Sequence, residues 1–262
     1  MMTRDYSLTW LTTDTFGELV DSGRPVVALV PVGSVEPHGP HLTLLTDTII
    51  SKGVAQVAAD RLLAEGIEPL VAPAVPYGVT ECAGRFAGAV SIPARALTAY
   101  LRAVIDALLA QRVTHVCLVN NHLEPAHDGA VRAAAAGRPP GRVSVACPLS
   151  RRWARTLTDE FRSGACHAGR YETSLVLALE PDGVDDAIRS ELPEVRVSLS
   201  EQLRAGVTDF VDMGLDRAYA GAPAAASAAE GRETLDALAT MVVTEVLEAL
   251  EELGVRTGDR DE

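Results

Sequence analysis

Short apolar segments alternate with segments of helical periodicity along this chain. The four apolar segments span residues 26–32, 69–73, 113–120 and 143–147, and the first of them is rich in Val. Helical patterns lie between and after them, at residues 48–63, 94–111, 128–136, 171–179 and 228–253. Continuously apolar strands separated by helices of about 10–15 residues are typical of βαβ units. We therefore predict an α/β fold with a mostly parallel sheet covered on both faces.

Length and charge narrow the classes of protein that the chain can belong to. The 262 residues contain no convincing internal boundary, so we expect a single domain over residues 1–262. Asp and Glu number 36 against 23 Lys and Arg, a formal net charge of −13. No basic stripe is present to neutralise phosphates, which argues against a nucleic-acid partner.

Neither a membrane nor an oxidising compartment is indicated by the sequence. No apolar run approaches the roughly 20 residues that a bilayer-spanning helix needs. The N-terminus shows no signal region, and the four cysteines show no CxxC spacing. We therefore expect a cytoplasmic protein without membrane association.

Carboxylate and imidazole side chains follow the ends of the first and third predicted strands. The candidate metal ligands, in chain order, are Glu36, His38, Asp47, His122 and Glu124. Ligands bind beyond the carboxyl ends of strands in open α/β sheets, and an i, i+2 pair in extended chain points the same way. These donors suit Zn²⁺, Mn²⁺ or Fe²⁺. Five donors exceed the needs of one four-coordinate ion, so two divalent metal ions with a shared carboxylate fit better.

A third cluster supplies candidate catalytic residues. His167 is a candidate general acid/base, because only imidazole titrates near neutral pH without help. Glu172 opens a predicted helix, where it is either a favourable charge in the first turn or a carboxylate that orients His167 or touches the metal. Both interpretations stay open. The neighbouring Cys166 has no matched basic partner, so we expect it to be inert.

The remaining histidines admit ordinary structural roles. His115 lies within an apolar run, which favours a structural role. His41 either orients a metal ligand or packs within a loop. His127 either faces the pocket or lies on the loop surface.

Taken together, these segments resemble the creatininase (creatinine amidohydrolase) family. The matching motifs are residues 31–42, 46–48, 85–88, 90–92, 120–122, 167–169, 172–174 and 220–232. The resemblance implies a three-layer α/β/α sandwich with a mostly parallel central sheet. It also implies a cytoplasmic homo-oligomer, often a hexamer, with a binuclear divalent-metal site.

The resemblance also assigns roles to individual residues. It implies that Glu36 and His122 bind one metal and that Asp47 bridges the two metals. His38 and Glu124 would bind the other metal. His167 would transfer a proton, and we expect Glu172 to assist it. Thr80 and Leu123 would meet the substrate, Leu123 standing where creatininase itself has an aromatic residue.

The function that these expectations favour is metal-dependent amide hydrolysis. Through a metal-activated water, the enzyme would cleave a C–N amide bond in a small molecule, cyclic or otherwise non-peptide. Within the family, the alternatives are a processing peptidase of a modified precursor peptide (mycofactocin-type) and a formamide deformylase. A deformylase of a nucleotide-pathway intermediate would need phosphate-binding cations, for which Arg85 and Arg170 are the candidates. A non-enzymatic metal- or ligand-binding protein is the remaining alternative.

Creatinine itself is less well supported as the substrate than the metal site is. Pro37 stands where the family usually has Gln, and residues 161–166 before His167 contain no Trp.

Overall fold

The computed structural model describes residues 6–255, which are built around a sheet of four parallel strands. The strands are β1 (Val26–Val32), β2 (Glu68–Val71), β3 (His115–Asn120) and β4 (Val143–Ala146). They lie in the order β2-β1-β3-β4, and each pairing of neighbours is parallel. Val32 at the end of β1 pairs with Asn120 at the end of β3. The chain segments that follow these two strands therefore start side by side at the middle of one sheet edge.

Helices connect the strands and continue beyond them. Within the described residues, the α-helices are α1 (Thr13–Val20), α2 (Thr46–Ala64), α3 (Ala94–Ala110), α4 (Pro125–Ala135), α5 (Arg151–Ala154), α6 (Asp159–Ser163), α7 (Arg170–Leu179), α8 (Asp186–Ser190), α9 (Leu199–Arg204) and α10 (Ala228–Glu252). None of the helices in this part of the chain combines the length and the hydropathy needed to cross a bilayer.

Side chains of β1 alternate between two separate cores. Val27 and Leu29 pack with helices α2, α7 and α10, whereas Ala28 and Val30 pack with α3 and α4. Successive residues of a strand point to opposite faces, so a strand that is covered on both sides must be apolar throughout. The predicted three-layer α/β/α sandwich with a mostly parallel central sheet is confirmed.

The five long helices lie at nearly the predicted positions, but the shorter ones were not predicted. Helices α1, α5, α6, α8 and α9 are between 4 and 8 residues long. Such helices complete two turns at most, which is too few for a periodic apolar pattern to stand out.

Two helix boundaries bear on the candidate site. Helix α2 begins at Thr46, which puts Asp47 in its first turn. Helix α4 begins at Pro125, a favoured residue for the first helical position, so Glu124 is the N-cap residue. Both carboxylates are thus attached to helix starts rather than to loose loops.

Candidate metal centre

Six buried side chains bring their donor atoms together beyond the ends of β1 and β3. They form three overlapping groups, in each of which the donor atoms lie within 4.8 Å of one another. The groups are Glu36, His38 and His167; Glu36, Asp47 and His122; and His38, Asp47 and Glu172. Four of the five candidate metal ligands are therefore close together, and both candidate catalytic residues join them.

Helix α2 is held against both strand ends, which explains why Asp47 reaches the site. The hydroxyl of Ser51 in α2 donates to the carbonyl of Val32 at 2.7 Å and accepts the backbone N–H of Asn121 at 3.1 Å. A Cβ at Gly33 would lie 2.6 Å from the backbone nitrogen of Thr48. Only glycine permits this approach of the loop after β1 to the helix start.

The carboxylate of Asp47 contacts two histidines through different oxygens. Its Oδ1 lies 3.2 Å from Nε2 of His38, and its Oδ2 lies 3.0 Å from Nδ1 of His122. Oε2 of Glu36 lies 3.2 Å from the same Nδ1 of His122. Asp47 therefore belongs to two donor groups at once.

Backbone carbonyls fix the tautomers of the three histidines. Nε2–H of His122 donates to the carbonyl of Val79 at 2.7 Å, and Nε2–H of His167 donates to the carbonyl of Pro37 at 3.0 Å. Nδ1–H of His38 donates to the carbonyl of Glu36 at 2.9 Å. Each ring consequently turns its other nitrogen toward the carboxylates, and in the neutral imidazole this nitrogen carries the lone pair. This is the orientation that metal-binding histidines adopt.

Neighbouring donors hold the three carboxylates in place. The hydroxyl of Ser34 donates to Oδ2 of Asp47 at 2.8 Å, and the hydroxyl of Thr80 donates to Oε1 of Glu36 at 2.6 Å. The backbone N–H of Ala168 donates to Oε2 of Glu172 at 2.6 Å. Ala168 has a left-handed φ of +51°, which costs a non-glycine residue about 1 kcal/mol.

The pKa values show how strongly these buried groups depend on opposite charge. Burial on its own would raise the pKa of Glu36, but the imidazoles of His122 and His167 lower it to about 2. Burial likewise opposes protonation of His38, yet Asp47 and Glu172 raise its pKa to about 10. The pKa of Glu172 rises to about 8 because of burial and despite His38. Three carboxylates in one buried cluster need positive charge, and this donor set fits divalent cations such as Zn²⁺ or Mn²⁺.

Glu124 borders this cluster, and backbone donors hold its carboxylate. Its two carboxylate oxygens accept the backbone N–H groups of Glu81 at 3.1 Å and Cys82 at 3.0 Å. Among residues 6–255 it belongs to none of the three donor groups, and Glu172 stands beside His38 where Glu124 was expected. Burial raises the pKa of Glu124, although the hydrogen bond from Cys82, the imidazole of His122 and the hydrogen bond from Glu81 lower it.

A cavity of about 90 Å³ adjoins the donors. Its polar lining consists largely of the grouped residues and Glu124, and its apolar lining includes Leu123, Pro125, Leu149, Leu199, Leu203 and Phe210. Leu123 therefore lines the cavity beside the donors. Thr80 is fully buried and is not part of the lining, since its hydroxyl is directed at Glu36. A wider depression of about 520 Å³ near Asp159 and Glu201 contains none of the grouped donors, so we assign the chemistry to the smaller cavity.

The other candidate residues belong to none of the donor groups found among residues 6–255, and one of them, His115, lies away from the site. Nε2 of His41 lies 2.9 Å from the hydroxyl of Thr173, and His127 packs its ring edge-to-face with His122 at 4.5 Å between centroids. His115 contacts the carbonyl of Gly141 at 2.8 Å, far from the site at the start of β3. Burial and the charge of Glu172 raise the pKa of Cys166 to about 12, so its thiol stays protonated.

Several residues of the site carried no sequence signal of their own. Ser34 lies within the matching motif at residues 31–42, but nothing in its own pattern indicates a contact with Asp47. Leu203 and Phe210 come from α9 and the loop after it, and nothing in their local pattern indicates that they line a cavity. Finding them requires the three-dimensional fold.

Comparison with known proteins identifies the family of this chain. The chain matches the family model Creatininase, described as creatinine amidohydrolase, over residues 10–246. A mycofactocin precursor peptide peptidase from Mycobacterium tuberculosis is 36% identical over 221 residues, 80% of this chain and 80% of the relative. A creatinine amidohydrolase from Pseudomonas putida is 27% identical over 177 residues, 61% of this chain and 66% of the relative.

A solved structure named "Creatininase Mn" shares the fold. It superposes with a TM-score of 0.68 at 23% identity, covering 94% of this chain and 98% of the other. Because the family model spans most of the residues and the fold agrees, this chain belongs to the creatininase family of hydrolases.

Proposed function

We propose that this protein is a metal-dependent amidohydrolase that cleaves an amide bond in a modified precursor peptide. One observation carries the proposal: the carboxylate of Asp47 joins two buried donor groups at an apolar cavity. Two divalent ions per subunit, whether Zn, Mn or Fe, are part of this proposal. So are a single domain over residues 1–262 and a homo-oligomer, hexameric by resemblance.

The donor groups define which residues would hold the ions. One ion would bind Glu36, Asp47 and His122, and the other would bind His38, Asp47 and Glu172. A divalent metal, when bound, lowers the pKa of a water molecule and polarises the carbonyl of the amide.

His167 is placed to move the proton that amide hydrolysis requires. Burial and the neighbouring His38 lower its pKa to about 4, so the ring is neutral near pH 7. Because Nε2–H is engaged with the carbonyl of Pro37, the free lone pair is on Nδ1, which lies 3.9 Å from Oε2 of Glu36. His167 can take up a proton at Nδ1 and then deliver it to the leaving amine.

The cavity walls and the relatives together favour a peptide-derived substrate. The grouped donors and Glu124 supply the polar part of the lining, whereas Leu149, Leu199, Leu203 and Phe210 supply apolar surface that suits an apolar side chain better than the small, polar creatinine. Relatives with 32–36% identity are named mycofactocin precursor peptide peptidases. We infer that an apolar side chain of such a peptide occupies the cavity.

A cyclic small-molecule amide is the second candidate. The modest size of the cavity, about 90 Å³, favours a compact group near the donors.

The deformylase alternative loses support, because Arg85 pairs with Asp209 and Asp212, and Arg170 pairs with Glu230. Neither arginine lines the cavity.

The test is a mass-spectrometric assay of the metal-loaded protein with a mycofactocin-type modified precursor peptide and, separately, with creatinine. We expect two peptide products whose masses sum to that of the substrate plus one water, and no turnover of creatinine. Chelation should abolish the reaction, and Mn²⁺ or Zn²⁺ should restore it. Hydrolysis of creatinine alone would refute the peptide assignment, and turnover of neither substrate by metal-loaded protein would favour a binding protein.

A further inference from the structure

The backbone segment formed by Val79 and Thr80 contacts two of the grouped donors at once. The carbonyl of Val79 accepts Nε2–H of His122 at 2.7 Å, and the hydroxyl of Thr80 donates to Oε1 of Glu36 at 2.6 Å. Both residues of the segment are fully buried. Any shift of the segment would therefore move an imidazole and a carboxylate of the same donor group.

His127 holds this segment from the other side. The backbone N–H of Val79 donates to Nδ1 of His127 at 3.2 Å, so this nitrogen carries no proton and the ring is neutral. A Cβ at Gly78 would lie 2.4 Å from the same nitrogen, which shows how tightly the ring packs against the backbone. The ring also lies edge-to-face on His122.

The imidazole at position 127 leaves a polar atom without a partner. Its Nε2 is buried and has no hydrogen-bond partner among residues 6–255. An apolar side chain would fill this space without leaving a donor unpaired, so packing alone does not explain a histidine here. The atom that the ring does use is Nδ1, and its use is to hold Val79.

We propose that His127 and Thr80 are positioning residues that, through the segment Val79–Thr80, fix Nδ1 of His122 and Oε2 of Glu36 toward a bound metal ion. This inference rests on the metal site of the proposed function. It differs from the resemblance, which places Thr80 against the substrate. It also gives His127 a role that the sequence left open.

Metal affinity is the direct readout, because it requires no substrate. Metal-stripped protein is titrated with Mn²⁺, and separately with Zn²⁺, by calorimetry. Thr80→Val keeps the shape of the side chain but removes the hydroxyl, and we expect binding to weaken roughly 10- to 100-fold, as for other partners of metal ligands. Thr80→Ser restores the hydroxyl and should bind within a few-fold of wild type.

His127 is tested in the same way with its own conservative variant. His127→Leu removes the acceptor for the N–H of Val79 and should weaken metal binding to a similar extent. His127→Asn offers Oδ1 in place of Nδ1 and should recover much of the affinity. His115→Leu is the matched control, since His115 is also fully buried and contacts a backbone carbonyl, that of Gly141. It should lower the thermal midpoint while leaving metal affinity unchanged.

The outcomes separate this inference from the proposed function. If wild-type protein binds no divalent metal, the proposed function fails and the positioning role fails with it. If wild type binds metal and both Thr80→Val and His127→Leu bind it equally well, the positioning role alone is overturned. Equal loss of affinity in His115→Leu would overturn it as well, since the effect would then be a general loss of stability. Should His127→Leu fail to fold, Thr80→Val decides.

Discussion

Asp47 and His38 meet through Oδ1 and Nε2 at 3.2 Å, and this leaves the second oxygen of the same carboxylate for His122 at 3.0 Å. The two imidazoles come from the segments after different strands, while Asp47 comes from the first turn of α2. A carboxylate whose oxygens face separate nitrogen donors is suited to bridge two cations. Asp47 is therefore the residue on which both donor groups depend.

Replacing this carboxylate should affect both groups together. Asp47→Asn replaces one of the two carboxylate oxygens with an NH2 group, which donates hydrogen bonds and cannot bind a cation. We therefore expect the metal content per subunit to fall by at least half. Turnover should fall at least roughly 100-fold, corresponding to about 3 kcal/mol of lost transition-state stabilisation. Elemental analysis after dialysis, together with initial rates on an amide substrate, measures both effects.

A surface aspartate provides the control for this substitution. Asp21 is 65% exposed and pairs with Arg112, so Asp21→Asn removes a carboxylate from a solvated ion pair. We expect its metal content and rate to match wild type. Full metal content in Asp47→Asn would show that the carboxylate is not a ligand.

Substitution of Glu172 and substitution of Glu124 should have different effects on metal binding. Glu172 groups with His38 and Asp47, whereas Glu124 is engaged with the backbone N–H groups of Glu81 and Cys82. Glu172→Gln should therefore lower metal content, while Glu124→Gln should retain it and change only turnover. Elemental analysis of the two purified variants decides, and the reverse pattern would restore Glu124 to the ligand role that the resemblance implies.

Much of the fold and part of the site follow from local sequence pattern. Residues 26–32 are continuously apolar because both faces of β1 are covered, and that pattern predicts the strand with its observed bounds. Glu36 and His122 come just after β1 and β3, the inner strands of the sheet, so their proximity follows from the sheet order. Parallel pairing brings these two strand ends level with each other.

The partners of Glu124, Thr80 and Glu172 could not be predicted, because each depends on contacts between distant segments. The N–H groups that bind Glu124 belong to residues more than 40 positions earlier in the chain. The hydroxyl of Thr80 reaches Glu36 because the chain at Val75 pairs with Val32 at the end of β1 and so brings the following loop to the site. Glu172 approaches His38 because α7 packs against α2 and α10. Spacing along the chain carries no information about any of these approaches.

His167 should affect turnover much more than metal content. Its Nδ1 is 3.9 Å from the nearest oxygen of Glu36, a looser approach than those made by His38 and His122 to Asp47. We expect His167→Gln to lower the rate by about 10²- to 10⁴-fold, the usual contribution of a general acid/base, with metal content near that of wild type. A parallel loss of metal would instead identify His167 as a ligand. His41→Gln, at a buried histidine outside the donor groups, is the matched control.

The stability of the fold should depend on pH through His115, which lies away from the site. Burial lowers the pKa of His115 from its ordinary value of 6.5 to about 4, and Arg142 adds to this although the carbonyl of Gly141 opposes it. Above pH 6.5 the ring is neutral in both the folded and the unfolded chain, so the full contribution of His115 to the free energy of unfolding is present. As the pH falls from about 6.5 to 4, only the unfolded chain takes up this proton, and the free energy of unfolding decreases by up to about 3 kcal/mol.

A variant without the titrating ring isolates this contribution. His115→Asn can still donate to the carbonyl of Gly141 but does not titrate, so its free energy of unfolding should decline less than that of wild type between pH 7 and pH 4.5. Urea unfolding at both pH values, with metal removed from both proteins, measures the difference. Because the buried histidines of the site titrate in both proteins, their contributions cancel in the comparison. Equal declines in the two proteins would show that His115 is not held neutral by its burial.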